Sequence, residues 1–229
     1  PDGLVEEFGY RTYFPVRPIL FGGDDITLVC EGRIALDLAA HLIESWRKHT
    51  EHLPGGPAEA CTGVALAPVN YPFYRAYKMS EECCRNAKKF LHDKKLNNCR
   101  AIDWELSSGG AEQKRRSEGQ LSCKPYLIGE HGLPSRDWDW FRKGLVGHWK
   151  ETLSERHTQI KSLAEILRAG QGETKEQLRR WEDKFHLTLP KPQDSTSIDG
   201  YFEGHTPYLD ALEVLDRVSV SLTKEAVCH

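Results

Sequence analysis

Arg17-Pro-Ile-Leu-Phe-Gly-Gly-Asp-Asp-Ile-Thr-Leu-Val-Cys30 is the stretch on which the fold turns. Two runs of β-forming residues, Ile19-Leu20-Phe21 and Ile26-Thr27-Leu28-Val29, flank Gly22-Gly23-Asp24-Asp25. That pattern predicts a β-hairpin, because glycine reaches the positive φ that tight two-residue turns need. The tip carries two adjacent carboxylates, Asp24 and Asp25, with no basic residue beside them. Their mutual repulsion falls when a cation sits between them. A divalent ion held there can in turn hold nucleotide phosphates, and Gly22 and Gly23 let backbone approach a nucleotide closely. The plainer reading is a solvated hairpin with acidic turn residues, and four letters alone leave both open.

Downstream of the hairpin, a helix is expected from about Arg33 to Lys48, with Ile34, Leu38, Leu42 and Trp46 recurring every fourth residue and Ala35, Ala39 and Ile43 beside them. His49 to Ala58, with Pro54-Gly55-Gly56-Pro57, reads as a loop, and its histidines as surface residues. Cys61-Thr-Gly-Val-Ala-Leu-Ala-Pro68 is a short apolar run bounded by glycine and proline, the mark of a buried strand. A second helix runs from about Phe73 to His92 and ends in Lys88, Lys89, Lys94 and Lys95, which suit a helix C-terminus. Those lysines serve either as a solvated helix end or as phosphate contacts. Cys99-Arg-Ala-Ile-Asp-Trp-Glu-Leu106 alternates between Ile102, Trp104 and Leu106 on one face and Ala101, Asp103 and Glu105 on the other, so a half-buried antiparallel strand is expected. The first hundred residues thus read strand, turn, strand, helix, strand, helix, strand. The economical packing is a four-stranded antiparallel sheet with both helices on one face. With one more βα piece in front, this is the ferredoxin-like palm shared by many polymerases and nucleotide cyclases.

Residues 107–120 are polar and glycine-rich, a loop whose Lys114-Arg115-Arg116 reads as a solvated charge run or a contact with nucleic acid or phosphate. Cys123 to Ile128 suggests one more short strand. From Pro134 the character changes. Trp138, Phe141, Leu145 and Trp149 mark one helical face, Ile160, Leu163 and Leu167 another, and Leu178, Trp181 and Phe185 a third helix with Thr174 near its start. A last helix begins at Thr206-Pro207, a cap residue followed by proline at the first helical position, and carries Leu209, Leu212 and Leu215. Four of the six tryptophans lie within residues 138–181, as expected of an aromatic helical core. The expected organisation is α+β: a palm, or nucleotide cyclase-like domain, over 1–132 and a helical C-terminal domain over 133–229.

Of the 229 residues, 39% are apolar and 28% charged, ordinary values for a globular chain. No apolar run approaches the roughly 20 residues that span a bilayer, and no signal-peptide pattern opens the sequence, so a cytoplasmic protein without membrane contact is expected. A net charge of −3 argues against a broad nucleic-acid-coating surface and leaves local contact with nucleic acid open. The seven cysteines are odd in number and form no C-x-x-C pair, which points to reduced thiols. No P-loop and no Ser/His/Asp signature occurs.

Taken together, Arg17 to Cys30, the helix after it, Thr62-Gly-Val-Ala, Tyr71-Pro-Phe-Tyr-Arg-Ala-Tyr with Ala87-Lys88-Lys89, and Ala101-Ile-Asp-Trp-Glu-Leu resemble the second palm domain of the polymerase-like large subunit of type III CRISPR effector complexes. The likeness is strongest to the standalone proteins that carry this Gly-Gly-Asp-Asp domain. It covers about residues 15–130, and the helical tail more weakly. A more distant likeness is to diguanylate cyclases. The resemblance implies a palm that binds ATP and, in active members, joins ATP into cyclic oligoadenylate with Mg²⁺ or Mn²⁺ in antiviral defence. By position, Asp24 and Asp25 are then the catalytic, metal-holding acids, Gly22 and Gly23 pass close to the nucleotide, and Lys88 contacts its triphosphate. It also implies partners: a second palm domain or second copy of the chain, and other subunits of a defence complex. The alternative is a catalytically silent module that binds nucleotide or protein as a scaffold.

In one respect the sequence departs from that pattern. Such palms carry a further metal-binding carboxylate on a strand upstream of the hairpin and separated from it by helices. Here 21 residues precede Gly22, and Asp2, Glu6 and Glu7 are too close in sequence for helices to intervene. The sequence begins at Pro1, and the expectation is that the strand lies in residues before it or that half the metal site is lost.

Overall fold

The central strand of the protein is buried from both sides, and the rest of the architecture follows from what covers it. In the computed structural model, which describes residues 15–107, 121–186, 188–193 and 199–218, strands β1 (Val16–Gly22) and β2 (Asp25–Cys30) form an antiparallel hairpin with Gly22 opposite Asp25. The register shifts between Pro18 and Leu20, where Pro18 has no N–H to give to a ladder. Helix α1 (Gly32–His49) follows, then β3 (Cys61–Leu66), helix α2 (Phe73–Lys94), β4 (Cys99–Leu106) and β5 (Tyr126–Gly129).

β3 and β4 pair in parallel from Cys61 opposite Ala101 to Leu66 opposite Leu106, and β5 pairs antiparallel with β4. The hairpin is a sheet of its own. The expected single antiparallel sheet is therefore corrected to a hairpin plus a mixed three-stranded sheet. The reason is connectivity: strands joined by a 22-residue helix cross over and come back parallel, whereas antiparallel neighbours need only a tight turn.

The expectation of both helices on one face is also corrected. Leu36, Ala40 and Ile43 of α1 share a core with Ile102, Trp104, Tyr126 and Ile128, while Ala87 of α2 packs with Ala101 and Leu127. Alternate residues of a strand face opposite ways, so α1 and α2 cover opposite sides. The buried stripe of α1 is Leu36, Ala39, Ala40 and Ile43, and Ile34, Leu38, Leu42 and Trp46 lie half-buried beside it. Residues four apart drift by about 40° per step at about 100° per residue, so an every-fourth row winds off the face that a mixed three-four spacing holds.

β4 is buried from Cys99 through Trp104, not half-buried as its alternation suggested. On the α2 side the approach is close, because a side chain at Gly63 would lie 1.9 Å from the Ser80 carbonyl oxygen and 2.4 Å from the Cys84 nitrogen.

The C-terminal helices pack on the α1 face of the sheet. A helical stretch opens as the π-helical turn Trp140–Gly147 and continues as α3 (His148–Ala169); α4 (Gln171–Phe185) and α5 (Pro207–Val214) follow. Trp138, Phe141, Leu145, Trp149, Leu163 and Leu167 are buried where the sequence places a core, in one continuous cluster with Ile102, Trp104 and Tyr126. That cluster crosses the boundary expected near residue 132. Thr206 and Pro207 open α5 as read, although the Thr206 hydroxyl makes no capping bond. Lys114, Arg115, Arg116, the aromatics Phe8, Tyr10, Tyr13 and Phe14, the acids Asp2, Glu6 and Glu7, and the side chain of Ile160 lie outside the described residues. No described helix is long and apolar enough to cross a membrane.

Gly63→Ala drives a methyl group into the α2 backbone, which has no rotamer to yield, and is expected to cost about 3 kcal/mol or more of stability. Gly172→Ala, in α4 where an added Cβ meets nothing within 4 Å, should be neutral or stabilising by about 0.5–1 kcal/mol. Urea unfolding of the two variants checks the contrast.

Candidate functional site

The hairpin forms where the sequence puts it. Of its two turn residues, Gly23 takes φ +62, a conformation L side chains rarely adopt. A side chain there would meet nothing within 4 Å, and one at Gly22 would meet only Leu20 Cδ1 at 3.9 Å. The backbone thus requires glycine at 23, no packing contact requires it at 22, and the tip stands open. Asp24 and Asp25 are both exposed. So are Ile19, Leu20, Phe21, Ile26 and Val29 on the strands leading to them.

The charge of Asp25 acts on one stripe of α2. Tyr77, Glu81, Cys84 and Lys88 recur at spacings of four, three and four residues, so they share a face of the helix. Glu81 first, and the charge of Asp25 more weakly, hold the Tyr77 pKa above the ordinary phenol value. Burial pushes the Cys84 thiol up, Lys88 opposes this, and Asp25 and Glu81 add to it. Asp25 and Lys88 therefore act on the same thiol with opposite signs, which brings two sequence-predicted residues to one neighbourhood. Tyr77 and Glu81 were missed, although their spacing from Lys88 was readable as a helical stripe. Cys61, bonded through its carbonyl by the Cys84 thiol, has its own thiol pushed up to about 11, chiefly by burial. Both thiols stay protonated at neutral pH and are poor metal ligands.

Among the described residues no three His, Cys, Asp or Glu side chains gather closely enough to hold a metal ion. The donor set at the tip is the carboxylate pair Asp24 and Asp25. That set fits Mg²⁺ or Mn²⁺ in the form in which such an ion is held by one or two carboxylates and completed by waters and phosphate oxygens.

A second polar cluster is structural. Asp210 of α5, fully buried, accepts from the Ser122 hydroxyl at 2.6 Å, the Cys123 N–H at 2.8 Å and the Tyr126 hydroxyl at 3.0 Å. Beside it the Lys124 ammonium donates to Glu213 at 2.9 Å and to the Trp104 carbonyl at 3.1 Å, 5.1 Å from the Trp104 ring centre. These bonds fasten α5 to the entry of β5. Burial pushes the carboxyls of Asp103 and Asp210 each up to about 6, with Lys124 pulling the other way.

A carboxyl whose folded value lies above its ordinary 3.8 holds more protons in the folded state between the two values. Its contribution to stability is complete below 3.8 and is lost as pH rises through about 6. Stability should therefore fall between about pH 4 and about pH 6 on account of these two groups. Asp103→Asn, which cannot ionise, should flatten part of that slope and be more stable than the parent at neutral pH, on the order of 1–2 kcal/mol. Thermal melts across that range check both the slope and its loss.

No protein-family model matches this sequence, and no curated protein matches it.

Proposed function

We propose that the chain is a palm-type protein that binds ATP with a divalent metal at the β1–β2 tip and joins ATP into cyclic oligoadenylate in antiviral defence. The observation that supports this reading is an exposed turn, open around Gly23, that carries Asp24 and Asp25 and whose Asp25 acts electrostatically on Tyr77 and Cys84 of α2. The order hairpin, helix, strand, helix, strand also supports a palm.

In mechanism, Asp24 and Asp25 hold Mg²⁺ or Mn²⁺, and Lys88 draws the triphosphate towards α2. When bound, the ion offsets triphosphate charge and favours departure of pyrophosphate. A ribose hydroxyl oxygen forms the new bond to the α-phosphorus as the bridge to the β-phosphate breaks, and the hydroxyl proton passes to solvent. Gly23 keeps the tip thin enough for the nucleotide to lie against backbone. Positioning and charge supply most of the rate in such transfers. The partners that follow are ATP, a second palm or second copy of the chain, and other defence-complex subunits, in the cytoplasm.

The second reading is a palm that holds nucleotide without turnover, as a scaffold. It is favoured by the donor set, two carboxylates on adjacent residues and no third side chain gathered with them among the described residues.

Incubation with labelled ATP and Mn²⁺ should give oligoadenylate that falls about 100-fold or more in Asp24→Ala/Asp25→Ala, with Lys88→Ala raising KM more than it lowers kcat. Metal-dependent ATP binding by calorimetry with no product selects the scaffold. Absence of both binding and product overturns the palm reading altogether.

A further inference from the structure

The turn that follows β5 opens onto a cleft of about 640 Å³, a size that suits a small ligand. Leu133 and Trp140 give it apolar wall, and Glu130, His131, Asp137 and Gln193 give it polar wall. Trp140 is fixed in place: its indole N–H donates to the Lys191 carbonyl at 3.0 Å, and a Cβ at Gly144 would come within 3.0 Å of its ring. Charges of both signs stand nearby. Asp137 acts on Lys143, whose ammonium pairs with Asp139 at 2.7 Å, and the Arg100 guanidinium lies 3.9 Å from where a Cβ at Gly129 would sit. Net charge therefore does not choose a ligand here, and hydrogen bonding is left to do so.

His131 supplies the constraint. Its side chain is only 5% exposed, and Nδ1 accepts from the Leu133 N–H at 3.0 Å, so the neutral ring carries its proton on Nε2. Burial lowers the pKa of the ring, against the pull of Asp137, and keeps it neutral. Nε2 is buried, makes no hydrogen bond, and lies 3.4 Å from Asp137 Oδ2, beyond the ordinary hydrogen-bonding range. Asp137 Oδ1 is already used, accepting from the Trp140 N–H at 2.6 Å. A buried donor without a partner is uncommon in a folded protein and points to an acceptor that arrives from outside. That acceptor has to sit beside a carboxylate oxygen, where a bare carbonyl or an anion would set lone pair against lone pair. A hydroxyl meets both demands with one atom, accepting from Nε2–H and donating to Oδ2 at about 2.8 Å from each.

We propose that this cleft binds a neutral polyhydroxylated ring, as in a sugar. One hydroxyl bridges His131 and Asp137, Glu130 and Gln193 offer further polar groups to the rest of the hydroxyl rim, and the C–H face of the ring suits the indole wall. A free pyranose and the ribose of a nucleoside both present this chemistry, and the test separates them. The site is separate from the hairpin and does not depend on the function proposed there.

Titration of the whole chain, followed by NMR, tests this with methyl α-D-glucopyranoside, methyl β-D-ribofuranoside, adenosine and tetrahydropyran, the last a ring without hydroxyls. At least one hydroxylated probe is expected to saturate a single site with a Kd of about 10 mM or tighter, and to move the His131 Nε2–H proton resonance downfield as it gains an acceptor. Tetrahydropyran should leave that resonance in place. Asp137→Asn keeps the Oδ1 acceptor for Trp140 but sets a second donor beside Nε2–H, and should weaken binding about 5-fold or more. Gln193→Ala, at an exposed position where folding is not at stake, should weaken it about 2–3-fold. Tighter binding of the glucoside points to a free sugar as the source, and tighter binding of the riboside and adenosine to a nucleoside; either keeps the proposal. Saturation by none of the three overturns it, and so does binding that leaves the His131 resonance unmoved or that tetrahydropyran reproduces.

Discussion

A strand with no solvent-facing side has to be closed in by whatever lies on each of its faces, and β4 imposes that condition on the whole protein. Its two covers differ in thickness. Towards α2 the contacts are small, Ala87 against Ala101 with Gly63 bare beneath the helix backbone. Towards α1 and the C-terminal helices they are bulky: Trp104 stacks on Tyr126 at 5.3 Å, and Tyr126 meets Phe141 at 4.0 Å. The thin side brings α2 close enough for the Cys84 thiol to reach the Cys61 carbonyl of β3. The thick side absorbs the helical tail into the same core.

Burial on both faces also decides the fate of the polar residues of β4. Arg100 reaches Glu59 at 3.4 Å, and Asp103 accepts the Trp104 N–H at 2.7 Å with Lys124 as its nearest positive influence. An isolated charge in such a place would cost several kcal/mol, so these pairings are conditions of the fold. Lys124 is the hinge of the arrangement. It supports Asp103, Asp210 and Glu213 together, and their combined attraction outweighs the burial that would otherwise lower its pKa.

The parts legible in the sequence were those governed by local chemistry. Gly22-Gly23 named its turn, Thr206-Pro207 its helix start, and Trp138 to Trp149 its buried face. Ile102-Asp-Trp-Glu-Leu misled because alternation marks a polar face without saying whether water or a partner meets it. Here Asp103 accepts the Trp104 N–H and feels the charge of Lys124, which lies just ahead of β5. The parallel pairing of β3 with β4 was present in the order strand, helix, strand, which implies a crossover. The influence of Asp25 on Tyr77 and Cys84 left no mark in the sequence, since it depends on how α2 packs beside the hairpin.

Magnitude decides how much the acidic pair can say by itself. Two unit charges about 4 Å apart in water repel by only about 1 kcal/mol, because the solvent screens them. Asp24 and Asp25 are exposed, so the hairpin tolerates both without any cation, as an ordinary acidic turn would. The buried acids behave oppositely: Asp103 and Asp210 need Lys124 beside them and still sit well above their usual pKa. Repulsion at the tip is therefore weak support for a metal. The stronger support is that Asp25 and Lys88 act with opposite signs on the one thiol of Cys84, which associates a cation-seeking and an anion-seeking group with the same stretch of α2.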